Sequence, residues 1–318
     1  MHLIGIEIGG TKLQIVAGNE RGEILERTRF VVDRAAGGAA IRAQIAGALP
    51  ALIGKWKPVA IGAGYGGPVD WKTGRIKCSH HVAGWEDFPL ADWLSERSGL
   101  PAFVENDANT AAFGEAHHGA GRGASTVFWI NAGTGIGGGF VIDGNLYHGM
   151  PPGEMEVGHL RTDRERGSDV PAEARILEDE CSGRAVDAIT RELAKSFPEY
   201  PLGRIVPHGS SGGEAKHLAA ALGEGCEKAD WILNDAAKWI ARALGHVVHL
   251  LNPEVIVFGG GLSLIGEPLR SRIETKLRGE IMEAMRPGPR VLLAALGEDA
   301  VPVGALALAA QRLGGRAH

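Results

Sequence analysis

The sequence predicts an α/β fold made twice over, two lobes with a central cleft. Three observations carry that expectation. A glycine turn, Gly9-Gly10-Thr11-Lys12, is entered by Ile4-Gly5-Ile6-Glu7-Ile8 and left by the apolar run Leu13 to Asn19. A second turn, Gly133-Thr134-Gly135-Ile136-Gly137-Gly138-Gly139, is entered by Trp129-Ile130-Asn131-Ala132 and left by Phe140-Val141-Ile142 toward Asp143-Gly144-Asn145. Both read as strand, tight turn, strand. At 318 residues the chain is also too long for most single cores and points to two domains. Glycines in such turns let backbone N–H groups face one concavity, a setting for an anion such as phosphate. Each turn alone is equally a plain hairpin. The pair in matching context implies a phosphate held between two copies.

The elements follow in order. Glu23-Ile24-Leu25 to Val31-Val32 completes a meander with the first hairpin, and Ala39 to Ile53 is an alanine-rich amphipathic helix ending near Gly54. Val59 to Tyr65 reads as a buried strand, broken by Gly66-Gly67-Pro68 into an extended turn. Leu90 to Arg97 is a short helix, and Pro101 to Val104 a strand that stops at Glu105-Asn106-Asp107. Ala108 to His117 is a helix with Asn106 or Asp107 at its N-cap. Gly119 to Gly123 is a glycine-rich hinge candidate, after which the second half begins. Leu160-Arg161-Thr162 reads as a strand. Glu227 to Leu251 is a long helix with Trp231, Ile232, Ala236, Trp239, Ile240, Ala243, Leu244, Val247 and Leu251 on its apolar face. Asn252-Pro253 ends it, and Val255 to Phe258 is a buried strand running into Gly259-Gly260-Gly261.

Composition excludes several classes. A net charge of −5 and the absence of a basic run argue against nucleic-acid binding. Cys78, Cys181 and Cys226 are scattered, with no C-x-x-C, which fits a reducing cytoplasm; Cys181 reads as a buried thiol. The chain enters its first strand at once, leaving no room for a leader, and no stretch reads as membrane-spanning. Gly133, Gly135 and Gly138 satisfy G-x-G-x-x-G, but a β run rather than a helix follows, so a dinucleotide fold is unlikely on its own signature; no P-loop motif occurs. His246 with His249, His80-His81 and His117-His118 lack a third ligand and read as packing or solvent-facing residues. Trp231 and Trp239 read as core.

Asp107 is the candidate general base. It lies where a strand end meets a helix N-terminus, whose dipole favours the ionised carboxylate, although a capping aspartate would look the same. Glu156 and His159, three apart, suit hydrogen bonding to vicinal hydroxyls, and Glu154 reads as a solvated neighbour. Lys12 is either a phosphate contact or an exposed strand residue.

These motifs carry a resemblance. Ile6-Glu7-Ile8-Gly9-Gly10-Thr11-Lys12, Glu105-Asn106-Asp107-Ala108-Asn109, Gly133-Thr134-Gly135-Ile136-Gly137-Gly138 and Glu156-Val157-Gly158-His159 stand in the order seen in ROK proteins. Weaker echoes are Gly66-Gly67-Pro68-Val69-Asp70, Leu177-Glu178 with Ser182-Gly183, and Asn252-Pro253-Glu254 with Gly259-Gly260-Gly261. The resemblance implies the duplicated actin/hexokinase-type (ribonuclease H-like) fold, with a small lobe of residues 1–119 plus a C-terminal helix at about 300–318 and a larger lobe of 120–299. It implies sugar contacts by Asn106, Asp107, Glu156, His159, Glu178 and Gly67. It implies nucleotide contacts by Gly9, Gly10, Thr11 and Lys12, by Gly133, Thr134, Gly135 and Gly137, and by Gly260 and Gly261. Glu7 stands where many members have aspartate and would orient Mg²⁺ through water. The family's His-Cys₃ zinc motif is missing: Asp169 to Ile176 holds no cysteine, so no zinc is expected, and packing by Val170 or Ile176 would substitute.

The function implied is ATP-dependent phosphorylation of a hexose or N-acetylhexosamine at C6, most simply of glucose, by a cytoplasmic homodimer. The alternatives are a non-enzymatic sugar-binding regulator and a partner-linked ATPase of the same superfold. Repressors of the family carry a DNA-binding segment ahead of the first glycine turn, where this chain has three residues.

Overall fold

A computed structural model of the chain describes residues 1–79, 82–151, 153, 155–162 and 175–314. Glu154, the His80-His81 pair and most of the stretch from Asp169 lie outside the described residues. In chain order the strands are β1 (His2–Ile8), β2 (Lys12–Asn19), β3 (Ile24–Val31), β4 (Ile61–Tyr65), β5 (Val69–Asp70), β6 (Arg75–Ile76), β7 (Ala102–Asn106), β8 (Thr126–Ala132), β9 (Ile136–Ile142), β10 (Asn145–Leu146), β11 (Val255–Gly259) and β12 (Arg290–Leu293). The helices are α1 (Gly37–Trp56), α2 (Leu90–Ser98), α3 (Asp107–His118), α4 (Leu177–Cys181), α5 (Gly183–Ser196), α6 (Pro201–Ile205), α7 (Leu218–Gly223), α8 (Glu227–Leu251), α9 (Glu267–Glu280) and α10 (Ala300–Gly314).

The strands form two five-stranded sheets with one topology, β3-β2-β1-β4-β7 and β10-β9-β8-β11-β12, beside a small β5–β6 ribbon. In the first sheet β1, β2 and β3 are an antiparallel meander, while β4 and β7 join parallel to β1. In the second, β11 lies parallel between β8 and β12. The repeat inferred from two glycine turns is therefore a repeat of the whole sheet.

The chain forms two compact units, residues 1–125 with 139–155 and 295–318, and residues 126–138 with 156–294. In the first unit Ile4, Ile6 and Ile8 of β1 pack with Ile41, Ile45, Leu49 and Leu52 of α1, whose spacing places them on one helical face. The other face of β1 presents Leu3 to Leu306 and Ala309 of α10. That helix lies so close to the sheet that a Cβ at Gly62 would come within 1.9 Å of the Ala305 carbonyl oxygen. In the second unit α8 buries Ile232, Leu233, Trp239, Ile240 and Leu244.

Several expectations are corrected. The strand placed at Val59 begins at Ile61, and the helix placed at 39–53 runs from Gly37 to Trp56 through Pro50. Leu160-Arg161-Thr162 forms no strand, only a bridge between Arg161 and Ile176. Trp231, near the start of α8, is 47 % exposed and not core, while Trp239 is buried. Residues 34–56 are long and apolar enough to cross a membrane by length and composition, against the expectation of none. Alanine, isoleucine and leucine raise the mean hydropathy there, and the isoleucines and leucines already pack on the first sheet.

Candidate active site

In each unit the candidate residues collect at the carboxyl ends of parallel strands, where open α/β sheets bind ligands. In the first unit Ile8, Tyr65 and Asn106 stand in one row across β1, β4 and β7. The chain leaves that row into three turns: Gly9-Gly10-Thr11, Gly66-Gly67 and Asp107. The Gly9 N–H donates to the Lys12 carbonyl at 2.9 Å and closes the first turn, so its own donor serves the hairpin and Gly10 and Thr11 form the tip. Glu7 accepts from the Gln14 amide and pairs with Lys12 Nζ at 3.2 Å. Lys12 is thus neither a free strand lysine nor an isolated cation; its charge is partly offset by Glu7.

Asn106 is the N-cap of α3, and Asp107 is the first helical residue. The Asn106 Oδ1 accepts from the N–H groups of Ala108 (2.8 Å) and Asn109 (3.2 Å), which otherwise lack intrahelical partners. Its Nδ2 donates to the Gly67 carbonyl at 3.2 Å, tying the Gly66-Gly67 turn to the helix start. Capping is therefore the work of Asn106, and the Asp107 carboxylate sits in the first turn, where the helix dipole favours negative charge. A Cβ at Gly66 would lie 3.3 Å from Asp107 Oδ2 and 3.6 Å from the Gly9 Cα, so Gly66 is the floor between the carboxylate and the first glycine turn. Burial pushes the Tyr65 phenol up to about 12, against a hydrogen bond with Ser79, and the Asp107 charge acts in the same direction as burial.

In the second unit the Gly133–Gly138 turn is gripped by three neighbours. The Gly133 N–H donates to Gly135 O (2.9 Å), and the Gly133 carbonyl accepts from Gly183 at the start of α5 (2.6 Å). The Ile136 N–H donates to Glu178 Oε2 at 2.8 Å. A Cβ at Gly158 would fall 2.2 Å from Ile136 O, which places the Glu156–His159 segment directly on this turn. Glu156 and His159 are exposed and 4.0 Å apart, a pair turned outward rather than spent on the core. Glu178, taken from sequence as a sugar contact, holds the glycine turn here, with Arg184 at 3.9 Å from its other oxygen. Gly260 has φ +81° and abuts Asn131 and Ala132, so a side chain there is strained and crowded; Gly261 faces open space. Cys181 is buried and donates to the Leu177 carbonyl. His249 accepts from Met282 N–H, while His117 bonds the Gly144 carbonyl. Burial, then the neighbouring His117, pulls the His118 imidazole below its ordinary value.

Sequence reading passed over four residues. Glu105 is buried behind Asn106 and bonded to His148, whose ring stacks on Trp71. A carboxylate on a buried strand was the only local signal for Glu105; nothing local marks His148 or Trp71. Arg34 donates from Nε to the Gly10 carbonyl at 2.7 Å and brings a second cation to the first glycine turn. A cavity of the first unit, about 800 Å³, is lined by Trp71, Lys72, Ser95, His148, Gln311 and Arg312 among others, and not by Asn106 or Asp107.

No group of three or more His, Cys, Asp or Glu side chains is arranged to hold a metal ion among the described residues. Mg²⁺ needs less: it keeps several waters and binds through one or two carboxylates and substrate phosphates. Glu7, next to last in β1, is a carboxylate of that kind, with its oxygens engaged by Gln14 and Lys12.

The chain is similar to known proteins along nearly its whole length. The ROK family model matches residues 3–312. A glucokinase of Halalkalibacterium halodurans is 33% identical over 308 residues, 95% of this chain and 92% of that protein. A glucokinase of Thermotoga maritima is 31% identical over 316 residues, 99% of each. The crystal structure of a ROK family glucokinase from Streptomyces griseus, in complex with glucose and AMPPNP, superposes with TM-score 0.81 at 33% identity, covering 98% of this chain and 100% of that one. With the duplicated sheet, the ordered glycine turns and this match, the chain belongs to the ROK family and has its actin/hexokinase-like fold.

Proposed function

We propose that the chain is an ATP-dependent sugar kinase that phosphorylates a hexose at C6, with glucose the first substrate to test. The observation that carries this reading is the placement of Asp107: a carboxylate at a helix N-terminus, separated from the first glycine turn only by Gly66. Support comes from the glucokinase relatives and from the glucose and AMPPNP that the Streptomyces griseus enzyme holds.

In this mechanism Asp107 accepts the proton of the sugar hydroxyl as its oxygen attacks the γ-phosphorus, and ADP leaves with the electrons of the broken P–O bond. The exposed Glu156 and His159 orient the sugar through its vicinal hydroxyls, and Asn106 contributes through the amide that also holds Gly67. Gly9, Gly10, Thr11 and Lys12, with Arg34 bonded to Gly10, are the proposed phosphate contacts of the first unit, and Gly133, Thr134, Gly135 and Gly137 those of the second. Gly260 and Gly261 let the backbone approach the nucleoside. Glu7 would hold, through water, the Mg²⁺ that enters with ATP, and that ion would supply charge neutralisation at the phosphates.

The test is ADP release with Mg-ATP against a panel of hexoses and N-acetylhexosamines, beside a control without sugar. Stimulation by one sugar establishes the kinase and names its substrate, and NMR of the product locates the phosphate. Equal release without sugar identifies a partner-linked ATPase instead. Sugar binding with no turnover identifies a regulator.

A further inference from the structure

We infer that His148 is a positioning residue for the turn that carries Asn106 and Asp107, acting through the buried carboxylate of Glu105; this rests on Asp107 being the base.

Glu105 is the penultimate residue of β7, and its side chain is 2 % exposed. Its Oε1 accepts the N–H of Asn106 at 3.0 Å and Nδ2 of Asn109 at 3.2 Å. Those two residues bracket Asp107, and Asn106 also caps the same helix turn through its own side chain. The Glu105 carboxylate therefore clamps the Asn106–Asn109 turn from behind while the cap closes it from within. Its other oxygen accepts the Nε2–H of His148 at 2.6 Å.

An ionised carboxylate taken out of water is costly unless it is paired and fully hydrogen-bonded. His148 meets that need: its side chain is 9 % exposed and the imidazole is the sole basic group paired with Glu105 among the described residues. The ring is itself held, stacked on Trp71 with centroids 4.2 Å apart and planes 18° from parallel. Trp71 follows β5 and His148 follows β10, so two loops remote in sequence converge on the back of the catalytic turn. Without the imidazole, Oε2 is left buried with no hydrogen-bond donor, and the Glu105 side chain rotates or draws in water. Either response loosens its hold on the Asn106 N–H and on Asn109. A general base works only within hydrogen-bond reach of the hydroxyl, and a displacement of about 1 Å can cost on the order of 10²-fold in rate.

The experiment compares His148→Ala, His148→Gln, Glu105→Gln and the Glu105→Gln/His148→Ala double variant, with Asp107→Asn alongside. Each is assayed for kcat and for KM of sugar and ATP, at a temperature well below its own Tm. His148→Ala is expected to lower kcat about 10- to 100-fold with the ATP KM within about twofold. His148→Gln, which can still donate to Glu105, recovers most of the loss. Adding His148→Ala to Glu105→Gln costs less than about threefold more, because the buried charge that needed a partner is gone. A His148→Ala enzyme with a lowered Tm but wild-type kcat overturns the proposal, as does a full additional loss in the double variant. Wild-type kcat in Asp107→Asn removes the base assignment instead, and the His148 and Glu105 coupling is read independently of it.

Discussion

At the residue scale, the proposed base Asp107 is a carboxylate whose surroundings are made by glycine. Asp107→Asn keeps the shape and the helix start but removes the proton acceptor; kcat is expected to fall about 10²- to 10⁴-fold with sugar binding largely retained, as read by steady-state kinetics and calorimetry. Gly66→Ala places a methyl group 3.3 Å from Asp107 Oδ2 and 3.4 Å from the Ile8 carbonyl oxygen. The variant is expected to fold with little change in Tm and to lower kcat by up to about tenfold, since the tight approach is the one to Asp107 Oδ2, which must give by a few tenths of an ångström. Tyr65 gives a pH signature. Its folded-state pKa, raised to about 12 from 10 chiefly by burial, means that the folded protein holds a proton that the unfolded chain releases. The resulting stability is present below pH 10 and is lost as pH rises from 10 through 12. Melting scans over that range should show wild type falling more steeply than Tyr65→Phe, which has no phenol to ionise; parallel curves would refute the assignment.

At the element scale, the start of α3 was nearly legible. Asn106 before Asp107 reads as a capping pair, and the structure decides which residue caps because strand β7 runs through Glu105 and Asn106 rather than stopping before them. The other end of α3 depends on an interaction with no sequence signal. Glu115 is buried and its Oε2 accepts from Ala120 (2.8 Å) and Ala295 (3.2 Å), while Oε1 accepts from Leu296 (2.8 Å). One carboxylate thus satisfies N–H groups in the Gly119–Gly123 segment and in the chain returning toward α10. Glu115→Ala removes the acceptor from three part-buried N–H groups, at up to about 1–3 kcal/mol each where water does not replace it. A drop in Tm of several degrees is expected by calorimetry, and an unchanged Tm would show that the clasp is not needed. Exposed Trp231 on α8 shows the opposite limit: a 3.6-residue period states which side is apolar but not how far along the helix the neighbouring elements reach.

At the scale of the whole molecule, the two sheets share one strand order, so a single solution for turning a β-meander into a ligand-facing edge is used twice. A sugar bound to the folded state alone raises Tm by mass action; glucose at about 100 times its dissociation constant should stabilise by roughly 2.7 kcal/mol. Differential scanning fluorimetry with glucose, fructose, mannose and N-acetylglucosamine checks this without requiring turnover. Light scattering checks the expected homodimer in the same samples.

By itself, the sequence determined the fold class, the two glycine turns, the long α8 and the residues of the Glu105-Asn106-Asp107 and Glu156–His159 segments. These are local: glycine permits the turn, periodicity states the buried side, and short motifs keep their spacing wherever they fold. Only the tertiary structure decided that Glu178 grips the second glycine turn, that Arg34 reaches the first, that Glu7 is paired with Lys12, and that His148 and Trp71 back Glu105. Apart from Glu7 and Lys12, which meet across one hairpin, each of those is a meeting of segments far apart in the chain. Their partners are selected by strand order and register, and no residue type announces in advance which distant atom will be within about 3 Å of it.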